Sequence, residues 1–231
     1  GSFFHIAMNG MAASDKIFRL LDLPEHKQEV SESFPLQHDI VCSGLQFSYE
    51  PDREILHGVD LRFPQGSFTA LVGESGSGKS TLGRVICGLL KPDSGELKIH
   101  GTSVYASRSG RKNLQKRLSV VFQDYTTSAN PRFRVKEIIA EGLAARERNQ
   151  KIRLNQAEET SRLLELVGLN ASYADRYPHE LSGGQLQRVC IARAVACQPE
   201  IILFDEAISS LDAHTQVQIM DLLRELKEKL G

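Results

Sequence analysis

Residues 70–81 read ALVGESGSGKST, a glycine-rich run placed directly after a short apolar segment. The run contains three glycines, three serines and one lysine. Glycine lets the main chain turn sharply and approach another group closely, which the interior of a helix or strand does not require. The residues before the run are typical of a strand and those after it of a helix, so the glycines lie at a strand-to-helix turn.

The spacing of this turn matches the pattern G-x-x-x-x-G-K-[ST], which binds the phosphates of a nucleotide. Loop amides surround the phosphate oxygens, the lysine neutralises the terminal oxygens, and the next hydroxyl coordinates Mg²⁺. A flexible glycine-serine turn is the alternative, and the position between a strand and a helix argues against it. The candidate phosphate-binding residues are Gly73, Glu74, Ser75, Gly76, Ser77, Gly78, Lys79, Ser80 and Thr81.

A second set of candidate residues ends the apolar run IILFDE, residues 201–206. An acid at the carboxyl end of a buried strand can reach the Mg²⁺ held by Ser80, and Asp205 occupies that position. Glu206 follows it and could polarise an attacking water as general base. The alternative is that the two acids simply end a strand and have no catalytic role. The presence of a phosphate loop in the same chain argues against this alternative.

A second glycine-rich turn lies in LSGGQLQRV, residues 181–189, at the start of a predicted helix with no strand before it. It predicts a second anion site, formed by Ser182, Gly183, Gly184 and Gln185. One nucleotide does not need two such sites from one chain. We therefore expect two copies to pair head to tail, each meeting the γ-phosphate on its partner's first loop. A simple helix N-cap by Ser182 is the alternative.

Composition narrows the class of protein. The net charge is -1 and the pI about 6.7, which removes the electrostatic case for a nucleic-acid binder. The basic run at 108–117 is interpreted as a solvated helix face. No stretch reaches the roughly 18 apolar residues that a membrane-spanning helix requires. The cysteines, which lack metal-site spacing, are interpreted as small core residues: Cys42, Cys87, Cys190 and Cys197.

The order of apolar segments predicts an α/β fold. We expect a mainly parallel core sheet, an antiparallel β portion near the N-terminus, and an all-helical insertion at about 134–180. The runs at 118–123 and 200–207 are predicted strands buried on both faces. Residues 3–25 have helical spacing around Ile17, Leu20 and Leu21, so residues 1–38 are predicted to be a helix and a polar linker. Gly1 and Ser2 are interpreted as a cloning remnant.

Together these motifs resemble the nucleotide-binding domain of ATP-binding cassette (ABC) transporters, a P-loop fold, over about residues 40–230; we assign this domain to 39–231. GESGSGKST is similar to the Walker A loop, LSGGQ to the family signature, IILFDE to the Walker B strand, and SSLD, residues 209–212, to the D-loop. The resemblance implies that Gln123, which closes VVFQ, contacts Mg²⁺ and water. It also implies that Tyr49 stacks on adenine; a buried strand tyrosine is the alternative.

The resemblance implies an ATPase that dimerises around MgATP and drives a transmembrane partner at the cytoplasmic face of the membrane. Glu206, Gln123 and Lys79 are then the catalytic residues, while Ser80, Gln123 and Asp205 hold Mg²⁺. The dimer partner is the same or another ATPase domain, and no nucleic acid is expected. A cassette ATPase of chromosomes or ribosomes would carry coiled-coil inserts or a second cassette, which this sequence lacks. A third interpretation also stays open: a module that dimerises when it binds nucleotide and hydrolyses little ATP.

Two departures from the family pattern lead to further expectations. The pattern continues beyond the last helix into a strand that ends in a switch histidine, whereas this sequence ends at KEKLG. His214 is not that histidine, because it follows the D-loop at the start of a helix. We expect apparently truncated C-terminal strands, an exposed sheet edge, and ATP binding that is better than hydrolysis.

The second departure is that the two ends resemble different relatives. NGMAASDKIFRLLDLPE, residues 9–25, resembles the segment that links the membrane domain of an exporter-type half-transporter to its ATPase. The body resembles oligopeptide, dipeptide and nickel importer ATPases, through VVFQDYTTSANPRFRVKEII and RYPHELSGGQLQRVCIARA. Import of a peptide or metal and a fused exporter-type transporter both stay open, as does a hybrid origin.

Overall fold

The computed structural model describes residues 4–9, 39–72, 74, 76–122, 128–205 and 213–230. The strands are β1 Phe4–Asn9, β2 Ile40–Glu50, β3 Arg53–Phe63, β4 Phe68–Val72, β5 Ser94–Ile99, β6 Thr102–Ser103, β7 Leu118–Val121 and β8 Ile201–Asp205. The helices are α1 Lys79–Ile86, α2 Arg108–Arg117, α3 Val135–Gln150, α4 Gln156–Leu166, α5 Gly183–Ala196 and α6 Ala213–Leu230, with 3-10 turns at Ala171–Asp175 and Pro178–Glu180.

The first sheet is parallel and has the strand order β4-β1-β8-β7. Its strand β8 is buried on both faces, as the apolar run predicts. Ile201 and Leu203 join the core beneath α1, whereas Ile202 and Phe204 join the core that contains α5 and α6. The predicted α/β class with a mainly parallel core sheet is therefore confirmed.

The second sheet is antiparallel, with the order β3-β2-β5-β6, and contains the predicted N-terminal β portion. Its inner face shares one core with α1 and with β8. A hydrogen bond, with an ion pair beside it, also ties this sheet to the residue before β8. Glu200 accepts from His100 Nε2 at 2.7 Å and pairs with Arg117 Nε at 3.3 Å. The two sheets are thus held together beside the strand that ends at Asp205.

Between β7 and β8 the described residues form helices, 3-10 turns and connecting loops, and none of them is in a strand, which agrees with the predicted all-helical insertion. Arg146 on α3 pairs with Glu159 on α4 at 3.0 Å, and both side chains are largely buried. Arg193 on α5 reaches Glu141 on α3 at 3.2 Å. The insertion is therefore packed against α5, the helix that follows the second glycine-rich turn. No described helix is long and apolar enough to cross a membrane.

Two details of the sequence-based prediction are wrong. Residues 4–9 form a strand, not the first part of a helix. The backbone of β1 pairs with β4 on one side and β8 on the other, and these two ladders outweigh local helical preference. The helical spacing rests on residues 17–21, which lie outside the described residues. The run at 118–123 is also less buried than predicted: β7 is an edge among the described strands, and Phe122 is exposed.

The exposed sheet edge that the sequence led us to expect is the outer side of β4. Among the described strands, β4 has β1 on one side and no strand on the other. The proposed boundary near residue 39 stays a prediction, because residues 10–38 lie outside the described part of the chain.

The position of β1 predicts that proline at its centre is destabilising. Ala7 pairs with Ala70 and with Phe204. Ala7→Pro should lower the free energy of unfolding by about 3 kcal/mol, because proline cannot donate to a ladder and its ring disturbs the pairing. Thermal unfolding measures this effect. Ala7→Val, which retains the amide and suits a strand, is the control and should change stability little; equal stability of the two variants would contradict a central β1.

Candidate functional site

The carboxyl ends of β4 and β8 lie at the same edge of the parallel sheet. In the β1 register, Asn9 is level with Val72 and Met8 is level with Asp205. The phosphate loop leaves β4 directly after Val72, so the loop and Asp205 emerge beside each other with one strand between them. In open α/β sheets, ligands bind in the crevice at this edge.

The phosphate loop has the backbone that its glycines predict. Gly76 and Gly78 have φ of 85° and 86°, in the left-handed region that favours glycine. A Cβ on Gly78 would lie 3.1 Å from both the carbonyl oxygen of Ile55 and Cδ2 of Leu56. Gly78 is therefore required both for its backbone angle and for its close approach to β3. The predicted residues Gly73 and Ser75 lie outside the described part.

Lys79 begins α1 and is buried, with 8 % of its surface exposed. Its Nζ donates to the carbonyl oxygen of Glu74 at 2.7 Å and to Oγ of Ser77 at 3.2 Å. Both of these acceptors belong to the phosphate loop, so the Lys79 side chain lies folded against the loop. Ser80 follows on the first turn of α1 and is half-buried.

Tyr49 lies beside the same helix. Its hydroxyl is 3.4 Å from Oγ1 of Thr81 and accepts from Nη1 of Arg84 at 3.2 Å. The hydrogen bond with Thr81, and then Arg84, lower the pKa of the Tyr49 phenol below its usual value. The ring is 51 % exposed and contacts Phe47 edge-on. A tyrosine buried in a strand, the alternative considered from sequence, is therefore wrong.

Asp205 ends β8 as predicted, and its surroundings fit a metal ligand. Its Oδ1 is buried and has no hydrogen-bond partner within the described structure. A buried carboxylate oxygen without a donor is costly, whereas Mg²⁺ prefers such hard oxygen ligands. The hydroxyl of Ser80 is a second oxygen donor at the same edge. The predicted residues Gln123 and Glu206, together with the D-loop at 209–212, lie outside the described residues.

The second glycine-rich turn caps α5. Ser182 Oγ accepts from the amide of Gln185 at 3.3 Å, and Gln185 Oε1 accepts from the amide of Ser182 at 3.0 Å. This reciprocal cap is the alternative interpretation of Ser182, and it is present. Ser182 and Gly183 are nevertheless exposed, so the start of this long helix faces solvent with its positive end. A side-chain cap and an anion site are therefore compatible here.

Gly184 has a packing role that the sequence did not reveal. A Cβ at this position would lie 2.6 Å from Cγ2 of Thr215, which is on α6. The missing side chain lets α5 approach α6 closely, in addition to any role of the Gly184 amide. Sequence alone suggests only a ligand-binding role for a glycine between two predicted site residues, because the side chains that pack against it are far away in the chain.

Cys42, Cys87 and Cys190 are core residues, as predicted, whereas Cys197 is only partly buried; all four are free thiols. Burial, and then the charge of Asp205, raises the pKa of Cys87 to about 12. Burial chiefly raises the pKa of Cys42, also to about 12, and those of Cys190 and Cys197. These groups therefore stay protonated near neutral pH, where thiols are poor nucleophiles and poor metal ligands.

Comparison with known proteins agrees with this geometry. The family model described as ABC transporter matches residues 56–209, which run from β3 past Asp205. The chain belongs to the ABC transporter family. It is 46% identical over 188 residues to a putative peptide import ATP-binding protein of Brucella abortus, covering 79% of this chain and 55% of that protein. The chain thus spans about half the length of this relative.

Two further relatives extend the same pattern. The oligopeptide transport ATP-binding protein OppF of Bacillus subtilis is 46% identical, with 74% of this chain and 57% of that protein covered. The nickel import ATP-binding protein NikE of Brucella suis is 41% identical, with 78% of this chain and 67% of that protein covered. The predicted resemblance of the body to peptide, oligopeptide and nickel import ATPases is therefore confirmed. The exporter-like leader stays a prediction.

Solved structures of ABC proteins share the fold. Clostridium perfringens cbiO1, described as part of the ABC transporter complex cbiONQ, matches with a TM-score of 0.73 and 28% identity, covering 83% of this chain and 74% of that one. The ATP-binding cassette MJ0796, in a dimeric post-hydrolysis state bound to ADP and Pi, matches with a TM-score of 0.71 and 30% identity, covering 83% and 84%. The P-loop fold assignment is thereby confirmed.

The geometry of Gly78 leads to a prediction that separates nucleotide binding from backbone strain. Gly78→Ala should lower affinity for an ATP analogue about tenfold or more, because the new Cβ forces the loop away from β3. Fluorescence titration measures this affinity. Gly66→Ala is the matched control, since Gly66 also has a positive φ of 69° but no atom within 4 Å of the added Cβ.

Both variants should lose about 1 kcal/mol or more of stability through backbone strain. Only the change at Gly78 should weaken binding. Equal affinity of the two variants would contradict the assigned role of the loop.

Proposed function

We propose that this ABC ATPase domain binds and hydrolyses MgATP as a head-to-tail dimer that drives substrate movement through a transmembrane partner. The observation that carries the proposal is that two glycine-rich turns, each at the start of a helix, lie on separate elements of one chain. The phosphate loop follows β4, whereas Ser182 and Gly183 begin α5, beyond the helical insertion. Two copies in opposite orientation would bring one turn of each kind to every nucleotide.

The phosphate loop supplies the binding half of this proposed site. Amides of the loop, the start of α1 and the Lys79 ammonium provide positive charge for the phosphates. The Nζ atom of Lys79 lies within hydrogen-bond distance of two loop oxygens, which places it beside the phosphates that the loop would hold. The second turn would supply the exposed start of α5 to the γ-phosphate of the other copy.

Ser80 on α1, Asp205 at the end of β8, and two residues that follow β7 and β8 in sequence would supply the proposed chemistry. Ser80, Asp205 and Gln123 would hold Mg²⁺, and the unpaired Oδ1 of Asp205 supports its part in this set. When bound, Mg²⁺ neutralises charge on the phosphate oxygens as the bond to the leaving group breaks. Glu206, next in sequence after Asp205, would accept a proton from the attacking water. Lys79 would stabilise the charge that develops on the γ-phosphate.

Tyr49 would stack on the adenine ring. Its ring is half-exposed, and its hydroxyl is anchored to Thr81 and Arg84 on the helix that begins at Lys79. Such an anchor fixes the ring at a constant distance from the phosphate loop. This fixed distance is what a stacking platform for the base of the same nucleotide needs.

Import of peptides or metal complexes is the transport process that the relatives' names support best. These relatives are ATP-binding proteins named for peptide, oligopeptide and nickel transport. We accordingly place the chain at the cytoplasmic face of a membrane, bound or fused to a transmembrane domain. An exporter-type half-transporter is the second candidate, and the leader at residues 9–25 supports it through its sequence alone.

Mixing two inactive variants tests the head-to-tail arrangement. Lys79→Ala removes the ammonium of the phosphate loop. Gly183→Asp places an acid where the γ-phosphate would lie, while an acid in the first turn of a helix keeps the fold stable. We expect each variant alone to release little phosphate. Random pairing makes about half of the dimers mixed, each with one intact site of two, so the mixture should recover about a quarter of the wild-type rate.

The control is a chain that carries both substitutions, mixed with wild-type chain. It shows how a partner with both turns defective affects the phosphate release of an intact chain. A mixture that stays as inactive as its components would contradict the shared sites. Glu206→Gln should keep ATP-dependent dimerisation, measured by light scattering, and lose phosphate release. Wild-type chain that dimerises with ATP and releases no phosphate would instead support the nucleotide-gated module.

A further inference from the structure

The side chain of Gln185, the last residue of LSGGQ, is held at both ends of its amide group. Its Oε1 accepts from the backbone amide of Ser182 at 3.0 Å, and its Nε2 donates to the hydroxyl oxygen of Tyr173 at 3.1 Å. A reversed amide would set its NH₂ group against the N–H of Ser182, and two donors cannot pair. The two contacts therefore agree on one orientation of the Gln185 amide.

Tyr173 belongs to a different part of the chain, the 3-10 turn Ala171–Asp175 of the helical insertion. Its ring is partly buried and packs against the core that contains α5. The guanidinium of Arg176 lies over this ring, 4.0 Å from its centroid, within the range of a cation–π contact. The carbonyl oxygen of Arg176 accepts from the amide of Val135, the first residue of α3, at 2.9 Å. The Tyr173 hydroxyl is thus an acceptor that the insertion holds in place.

The Gln185 amide in turn fixes the start of α5 at Ser182. Oε1 of Gln185 takes the N–H of Ser182, and the Ser182 hydroxyl accepts from the backbone amide of Gln185 at 3.3 Å. A hydroxyl that accepts in such a cap keeps its own proton for donation. Because Ser182 is exposed, that proton can reach an anion outside the chain. The cap therefore orients the Ser182 hydroxyl, and Tyr173 anchors the cap to the insertion.

We propose that Tyr173 is a positioning residue for the second glycine-rich turn, a role that rests on the function proposed above. It acts through Gln185 and not by contact with the nucleotide. Tyr173 holds the Gln185 amide in the orientation that closes the cap, and the closed cap directs the Ser182 hydroxyl towards the γ-phosphate bound by the other copy. Without the Tyr173 hydroxyl, the Gln185 amide has one of these two anchors and can rotate away from Ser182. The phosphate loop lies on another element and keeps its own affinity for ATP.

Tyr173→Phe tests this role, because phenylalanine keeps the ring and its contact with Arg176 and removes only the hydroxyl. The chains also carry Glu206→Gln, so that hydrolysis does not disturb the equilibrium. Tyr173→Phe should weaken MgATP-dependent dimerisation about tenfold or more, measured by light scattering over a range of chain concentrations. The affinity of dilute, monomeric chain for a fluorescent ATP analogue should stay within about twofold. Unchanged dimerisation, or equal losses in both measurements, would overturn the proposal.

Tyr177→Phe is the matched control. The Tyr177 hydroxyl also lies in the insertion, and it accepts from Nε of Arg134, the residue before α3, at 3.3 Å. Its removal costs the insertion a hydrogen bond of a similar kind, and it should leave dimerisation and ATP affinity within about twofold of the parent chain. Comparable weakening of dimerisation by the two variants would overturn the proposal, because the insertion as a whole, and not the bond to Gln185, would then be responsible.

A double-variant cycle separates positioning from a general effect on the fold. Gln185→Met removes the amide through which Tyr173 is proposed to act, so it should weaken dimerisation at least as much as Tyr173→Phe does. Adding Tyr173→Phe to Gln185→Met should then change dimerisation by less than about twofold, because the contact between the two side chains is already lost. Additive losses would overturn the proposal, since Tyr173 would then act by a route other than Gln185.

The failure of this proposal is distinguishable from the failure of the proposed function. Glu206→Gln chain that dimerises with MgATP, and does so equally well with Tyr173→Phe, overturns the role of Tyr173 alone. Glu206→Gln chain that binds ATP and does not dimerise with it at any concentration overturns the proposed head-to-tail function, and the role of Tyr173 with it.

Discussion

The parallel alignment of β4 and β8 is the constraint on which the candidate site depends. β4 delivers the phosphate loop and β8 delivers Asp205, and both must end at the same edge of one sheet for a lysine and a carboxylate to share a ligand. Here β1 sets that alignment, because it lies between the two strands and pairs in parallel with each of them in a fixed register. The buried faces of β8 then fix the sheet between the core under α1 and the core around α5.

The second glycine-rich turn, the other proposed anion site, lies on a different element from the phosphate loop. α5 is packed on the helical insertion and on α6, with an exposed start at Ser182. Its position is set by close contacts, such as that of Gly184 with Thr215, and by the ion pair between Arg193 and Glu141. The two proposed anion sites therefore lie on separate elements of the chain, and pairing of two copies, as proposed above, would bring one of each to the same nucleotide.

Most of the fold could be predicted because its signals are local. The phosphate loop has a spacing that few other structures need, and β8 is apolar without alternation, which is typical of a strand buried on both faces. β1 could not be predicted, since its strand conformation comes from two partners distant in sequence. Phe122 was misplaced for a related reason: strand order decides whether an apolar residue is covered, and composition does not reveal it.

The candidate site was predictable to a different degree at each residue. Lys79, Ser80 and Asp205 follow from motif spacing, and the structure places them on the elements expected. The complete burial of Gln187 on α5 could not be predicted from sequence, because glutamine is mostly exposed in folded proteins and its residue type gives no sign of burial. The packing role of Gly184 likewise depends on Thr215, which is about thirty residues further along the chain.

Crosslinking between two singly substituted chains tests the head-to-tail claim most directly. Ser77→Cys marks the phosphate loop, Ser182→Cys marks the second turn, and the native thiols are largely buried with raised pKa values. With a short bismaleimide, a mixture of the two chains should form a covalent heterodimer when ATP is present and little without it. Equal crosslinking with and without ATP, or crosslinks only between identical chains, would contradict the account.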